Sequence, residues 1–293
     1  MSSPATATGL PVISEIPALR AWRDAERVAG RRVALVPTMG ALHEGHLALV
    51  DEARRRAQRV VMSIFVNPLQ FGPSEDFQRY PRPLDRDRAL AAARGVDLLF
   101  TPAVEVMYPP GSETRVVPGE TASRWEGDVR PGHFAGVLTV VLKLFHLVEP
   151  DVAVFGQKDI QQATLIRRMV RDLDLRVDLV LSPTVRESDG VALSSRNAYL
   201  TPEQRVEARV LNRALRAADR AWREGGRDAA VLRRLIEGEF GLSPGVQPDY
   251  IAIVDPDTLS PVPVAVTGTI IAVAARVGST RLLDNHILGR EFR

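Results

Sequence analysis

The sequence predicts an α/β protein, a Rossmann-like doubly wound parallel sheet followed by a second, smaller α+β C-terminal domain. Three observations carry that expectation. Between residues 31 and 181, short β-branched apolar runs alternate with longer segments of helical spacing, the pattern of a parallel sheet covered by helices on both faces. Past residues 182–190 the rhythm changes to two arginine-rich helical stretches and isolated strands. The 293 residues, 45% of them hydrophobic and 25% charged, suffice for two cores and are too apolar for a disordered chain.

Taken in order, residues 1–11 are small and polar and are expected to be disordered; without a basic stretch leading into an apolar one they do not read as a signal peptide. Strands are expected at 32–36, 60–66, 97–100, 152–155 and 177–181, with helical spacing near 47–53, 90–93, 137–147 and 165–170 between them. The Gly/Pro-rich stretch 108–132 is longer than an ordinary connection and reads as a functional or mobile loop. The second domain is expected to hold helices at 202–225 and 228–240 and strands at 250–254 and 270–276, which divides the chain into 1–186 and 187–293.

Composition narrows the function. There is no cysteine, hence no disulfide, thiolate metal site or cysteine nucleophile, and the cytoplasm is the expected compartment. The most apolar run, 134–148, is interrupted by Lys143 and His146 and is too short to span a bilayer. Of 38 basic residues, 36 are arginine, scattered beside acids to a net charge of +2. The two lysines are Lys143 and Lys158. Lys143 sits inside an apolar helical pattern, where it can snorkel; Lys158 sits where a strand gives way to a helix.

That corner is one of three motifs with chemical content. The run expected at 32–36 exits into Pro37-Thr38-Met39-Gly40-Ala41-Leu42-His43-Glu44-Gly45-His46, with a helix expected from about His46. Helix N-termini at the carboxyl ends of parallel strands bind anions, so two imidazoles there suit phosphate. Zinc ligation is the weaker reading, since the pair is three rather than four residues apart and broken by Gly45. The run ending at Phe155 repeats the arrangement with Gly156-Gln157-Lys158-Asp159, and a loop in the second half offers Leu193-Ser194-Ser195-Arg196-Asn197. A lysine point charge and an arginine fork are both phosphate ligands, although a Ser-Ser-Arg turn alone is more often a helix cap.

Together with Phe-Val-Asn-Pro-Leu-Gln-Phe at 65–71 and His-Phe-Ala-Gly-Val at 133–137, these motifs closely resemble the pantothenate synthetase (pantoate–β-alanine ligase) family. That family lies in the nucleotidyltransferase superfamily related to class I aminoacyl-tRNA synthetases. The likeness runs from about Ile13 to Asn285. It implies ATP-dependent joining of pantoate to β-alanine through a pantoyl adenylate, with release of pyrophosphate and then AMP.

By this resemblance Met39, Gly40, Ala41, Leu42, His43, Glu44, Gly45 and His46 bind ATP, with His46 the candidate proton donor or phosphate stabiliser. Gly156, Gln157, Lys158 and Asp159 complete the phosphate and ribose contacts, Val185 lies by the adenine, and Leu193, Ser194, Ser195 and Arg196 close from the second domain. Gln70 and Gln162 bind pantoate beside an apolar wall of Pro37, Met39, Val140, Val141 and Phe155, for which ordinary core packing is an equal explanation. Leu193 stands where many relatives have methionine. Arg86 replaces an acid in the cluster Asp85-Arg86-Asp87, which leaves Asp87 as the expected contact of a Mg²⁺ ion that arrives with ATP. A homodimer is implied, with neither nucleic acid nor membrane as partner. Two rivals are another HxGH-type nucleotidyltransferase and an RNA-binding module using Arg54, Arg55, Arg56 and Arg59.

Overall fold

The computed structural model describes residues 9–73, 75 and 77–292. Its elements in chain order are β1 (Val12–Ile13), α1 (Ile16–Val28), β2 (Val33–Thr38), α2 (Glu44–Arg54), β3 (Arg59–Ile64), α3 (Leu84–Arg94), β4 (Leu98–Phe100), α4 (Val104–Met107), α5 (Glu126–Val129), α6 (His133–Val148), β5 (Val152–Gly156), α7 (Ile160–Asp172), β6 (Asp178–Ser182), α8 (Pro202–Arg223), α9 (Ala229–Gly241), β7 (Val246–Val254), β8 (Ile270–Val277) and β9 (Thr280–Ile287).

The first six strands form one parallel sheet in the order β1-β4-β3-β2-β5-β6. Its strands are apolar on both faces, as helix-covered strands must be. Val33, Leu35, Val61, Phe65 and Phe155 join the core with α1, α6 and α7, whereas Ala34, Val36, Val60, Met62 and Val154 join the core with α2 and α3. From β2 the chain steps to β3 and β4 on one side, then returns to place β5 on the other. The sheet order therefore reverses between β2 and β5, and a crevice opens at their carboxyl ends. Ala34 and Leu35 pair with Val152 and Ala153, so both predicted phosphate corners leave the sheet side by side.

The C-terminal part is a three-stranded antiparallel sheet, β7-β8-β9. One face packs on α8 and α9 through residues such as Leu211, Leu215, Ile236 and Val273. The other packs Ala252, Val254, Ile270 and Ile287 against Ile160 and Leu181 of the first domain. Helix α8 starts on a capping box in which Thr201 and Gln204 exchange bonds, Thr201 N–H to Gln204 Oε1 at 3.1 Å and Gln204 N–H to Thr201 Oγ1 at 3.3 Å.

The structure departs from the sequence expectations at several places. Two strands were not anticipated, β1 and β9, and β7 begins at Val246 rather than 250. Helix α2 begins at Glu44 rather than His46, because the His43 side chain caps it. The expected disorder of residues 1–11 falls largely on 1–8, outside the described residues, but Leu10 is buried and the Pro11 carbonyl accepts the Leu99 N–H at 3.0 Å. Stretch 108–132 docks on the second domain. Trp125 donates Nε1–H to Leu259 O at 3.1 Å and Arg124 bonds Ser260 Oγ at 2.6 Å. No helix among the described residues is long and apolar enough to cross a membrane.

Candidate active site

At the exit of β2, Gly40 and Ala41 both have positive φ, 85° and 51°. The second value is unusual for a residue with a Cβ. This turn aims two successive N–H groups the same way, and both are taken by Asp87 in the first turn of α3: Ala41 N to Oδ2 and Leu42 N to Oδ1, each at 2.8 Å. Asp87 is 1% exposed. The aspartate expected to touch magnesium is thus engaged in shaping the loop between β2 and α2. No group of three His, Cys, Asp or Glu side chains among the described residues could hold a metal ion.

The histidine pair is built by the same local logic. His43 Nδ1 accepts the Gly45 N–H at 3.1 Å, and His46 Nδ1 accepts the His43 N–H at 3.4 Å, closing an imidazole version of the capping box. A ring nitrogen that faces an N–H carries no proton, so each neutral ring keeps its proton on Nε2, where it can donate. The rings lie 4.1 Å apart between centroids. A Cβ on Gly45 would come within 2.8 Å of the His43 ring, which explains the glycine between them. Burial pushes His46 down to about 3, with His43 and Lys158 acting in the same direction. Burial and Lys158 also lower His43. Both rings are neutral hydrogen-bond donors in the ligand-free protein.

From the neighbouring strand β5, the turn after Gly156 presents Lys158, whose Nζ lies 3.4 Å from Asp159 Oδ1. Burial would raise the Asp159 carboxyl, but Lys158, its hydrogen bond and Arg196 outweigh this and hold it low. Gln157 turns away from the crevice and is buried, donating Nε2–H to Asn285 Oδ1 at 3.3 Å. Across the cleft, Val185 O accepts the Leu193 N–H at 2.9 Å, closing a hairpin that carries Ser194, Ser195 and Arg196. Leu193 approaches Gly45, while Lys158, Asp159, Ser194 and Arg196 line one interdomain cleft of about 840 Å³.

A second cavity, of about 160 Å³, shares Asp159 with this cleft and has His46 in its own wall. Gln70 and Gln162 both line it, together with Pro37, Met39, Val140, Val141 and Phe155. The side chains that orient Gln70 lie outside the expected set. Asn67, fully buried, gives its amide N–H groups to Gln70 Oε1 at 3.0 Å and Gly136 O at 3.1 Å, while its own oxygen accepts from Tyr108 at 3.0 Å. The Gln70 carbonyl accepts His133 Nδ1–H at 2.8 Å, and Arg130, ion-paired to Glu75 at 2.6 Å, reaches it at 3.3 Å. At the cavity wall Ser63 is fully buried and its Oγ has no hydrogen-bond partner among the described residues.

Residues proposed for other purposes are accounted for elsewhere. Lys143 donates to Met107 O and lies over the Tyr108 ring. The four arginines of the candidate RNA face bind within the protein: Arg55 and Arg56 to Glu52, Arg54 to Gly95 O at 2.6 Å, and Arg59 to Asp97 at 3.1 Å. They do not form an unengaged basic face.

A family model described as pantoate-beta-alanine ligase matches residues 11–287. The chain is 53% identical over 279 residues to a pantothenate synthetase of Moorella thermoacetica, covering 95% of this chain and 99% of that one. It is similar to the crystal structure of pantothenate synthetase from Thermus thermophilus, with 53% identity, a TM-score of 0.89, and coverage of 94% and 99%. It is also similar to pantoate-beta-alanine ligase from Francisella tularensis, solved with beta-gamma ATP and β-alanine, with 33% identity, a TM-score of 0.80, and coverage of 97% and 100%.

Proposed function

The chain belongs to the pantoate–β-alanine ligase family, and from that membership we propose a residue-level account of how two of its cavities divide the reaction. The enzyme forms the amide bond of pantothenate and uses ATP as substrate. The other HxGH-type nucleotidyltransferase reading is not favoured by relatives of this identity and coverage. The carrying observation is the junction of the two cavities. Asp159 lines both the polar cleft bearing Lys158, Ser194 and Arg196 and the smaller pocket, in which His46 lies with two neutral amides and an apolar wall.

In this reading the triphosphate occupies the polar cleft and pantoate the pocket, so that the pantoate carboxylate meets the α-phosphorus at the junction. Gln70 and Gln162 orient the carboxylate and hydroxyl without an ion pair, which would blunt the attacking oxygen. The apolar wall receives the geminal methyl groups. As the bond from the α-phosphorus to the bridging oxygen breaks, Lys158 and Arg196 neutralise the departing pyrophosphate, and the two Nε2–H groups donate to its oxygens. His46 then acts as a donor of a hydrogen bond rather than of a proton, since a neutral imidazole is a very weak acid. The β-alanine amine attacks the acyl carbon of the adenylate, and AMP leaves. No enzyme nucleophile is required; alignment does the work.

Several finer points belong to the same proposal: the division into 1–186 and 187–293, a homodimer, a cytoplasmic location, and magnesium that comes in on the triphosphate with most of its water retained. Pantoate-dependent exchange of labelled pyrophosphate into ATP tests the adenylate path directly. Exchange is expected with pantoate alone and to fall at least about a hundredfold in Lys158→Ala with cooperative unfolding preserved. Exchange that requires β-alanine would overturn the two-step order.

A further inference from the structure

Strand β9 reaches both halves of the phosphate grip through two consecutive residues. Successive side chains on a strand point to opposite faces, and the pattern here is consistent: Leu282 belongs to the core shared with α8 and α9, Ile287 to the face toward the first domain. Asn285 lies on the latter face. It is 2% exposed, and its amide donates to Gln157 O at 2.9 Å and Lys158 O at 2.8 Å while its oxygen accepts from Gln157 Nε2 at 3.3 Å. A primary amide is the side chain with two N–H donors and an acceptor in one plane, and every one of these is used.

Asp284, one residue earlier, serves the other half. Its two oxygens accept both Nη groups of Arg186, at 2.6 and 3.0 Å, and the two side chains are 2% and 7% exposed. Arg186 begins the hairpin that continues through Ala192 to Ser194 and Arg196, and also bonds Gly190 O at 3.2 Å within it. The Asp284 Oδ1 atom further accepts the Asn285 N–H at 2.7 Å, so the two grips share a fixed link. The strand beneath is held by β8, with Val273 opposite Asp284 and Ala272 opposite Asn285.

We propose that Asp284 and Asn285 form a clasp that sets the Lys158 turn and the Ser194–Arg196 hairpin at a fixed spacing, and that Asn285 is a positioning residue acting on phosphate chemistry through Lys158. The inference rests on the reading of Lys158 as an ATP phosphate ligand. The clasp also places part of the first-step machinery under the control of the second domain: Lys158 belongs to the first domain in sequence, yet its main chain is anchored from β9.

The decisive measurement is a double-mutant cycle on pantoate-dependent pyrophosphate exchange, using wild type, Asn285→Asp, Lys158→Ala and the double variant. Asn285→Asp is isosteric but sets a carboxylate oxygen against two carbonyls. It is expected to slow exchange at least about tenfold, with the KM for β-alanine unchanged and cooperative unfolding retained. In the Lys158→Ala background the same change is expected to cost less than about twofold. Equal losses in both backgrounds, or an unchanged rate in Asn285→Asp alone, would overturn the clasp while leaving the phosphate reading intact. A Lys158→Ala enzyme with full exchange activity would overturn that reading itself. Should Asn285→Asp not fold, Asn285→Ser, which keeps one donor, carries the same cycle.

Discussion

Asp87 holds Ala41 in a left-handed conformation by accepting its N–H at 2.8 Å, with the adjacent Leu42 N–H bound at the same distance by the second carboxylate oxygen. Bonds from backbone N–H to a buried carboxylate are charge-assisted and contribute about 1.5–3 kcal/mol each. Asp87→Asn turns an amide N–H toward one of those donors. It is expected to lower stability by about 2–4 kcal/mol and to weaken ATP binding by misplacing the loop. A metal ligand would behave differently, so the check is the magnesium dependence of exchange: the midpoint is expected to stay at its wild-type concentration while the maximum falls.

The two imidazoles make a pH prediction with a definite sign. In the folded, ligand-free protein His46 is pushed down to about 3 and His43 is lowered too, chiefly by burial, against an ordinary value near 6.5 when unfolded. The unfolded chain therefore binds protons that the folded one does not, over the window from about 6.5 down toward 3. Stability is full above that window and falls with pH inside it, by at most about 1.4 kcal/mol per pH unit for each ring. Lys158 repels the proton while Asp159, Glu187 and Glu44 attract it, and burial dominates. Melting temperatures of His46→Asn are expected to depend less steeply on pH between 5 and 6.5 than those of wild type, and the His46 ring resonance should not titrate above pH 5.

How far the sequence led can be seen by contrasting β3 with β9. Val60, Val61 and Met62 make an apolar run bounded by turn signals, and the strand lies close to its expected range. Strand β9 reads Thr-Arg-Leu-Leu-Asp-Asn-His-Ile and buries Asp284, Asn285 and His286, whose partners are Arg186, Lys158 and Asp219, between 67 and 127 residues away. No local pattern announces a strand whose polar residues are satisfied at such range. Strand β1 is two residues long and has no period to detect. At the site the chemical groups were legible because their types and order are distinctive, whereas their supports were not. Asp87 was the expected metal contact by the likeness of its acidic cluster to that of relatives, whereas its burial under the Ala41 and Leu42 N–H groups is set by the fold; the contacts of Asn67 with Gln70 and of Asn285 with Lys158 are likewise written in no local pattern.

Gly136 marks where α6 crosses the turn that bears Gln70. A Cβ there would stand 2.1 Å from Leu69 O and 2.6 Å from Gln70 N, both main-chain atoms that cannot rotate aside. Gly136→Ala must push the turn and the helix apart, at an expected cost of about 1–3 kcal/mol, and must stretch the 3.1 Å bond from Asn67 to Gly136 O. Because the displaced residue is the glutamine proposed to bind pantoate, the KM for pantoate is expected to rise at least about tenfold while the Kd for ATP changes less than about twofold. Titration of each substrate against the variant checks the split.

Ser63 offers a prediction in which stability and function move in opposite directions. Its hydroxyl lies at the wall of the pocket proposed for pantoate, fully buried and without a protein partner among the described residues. A buried hydroxyl left unsatisfied destabilises the ligand-free fold by about 1–3 kcal/mol, so Ser63→Ala is expected to raise the melting temperature in the absence of substrate. With pantoate bound, the same hydroxyl can be met by a polar group of the ligand or by a water between them, and the variant is expected to lose affinity for pantoate by about fivefold to tenfold. Thermal shift with and without pantoate checks both signs on one sample. A variant that is less stable when empty would show that the hydroxyl is satisfied in solution, and unchanged pantoate stabilisation would show that the ligand makes no use of it.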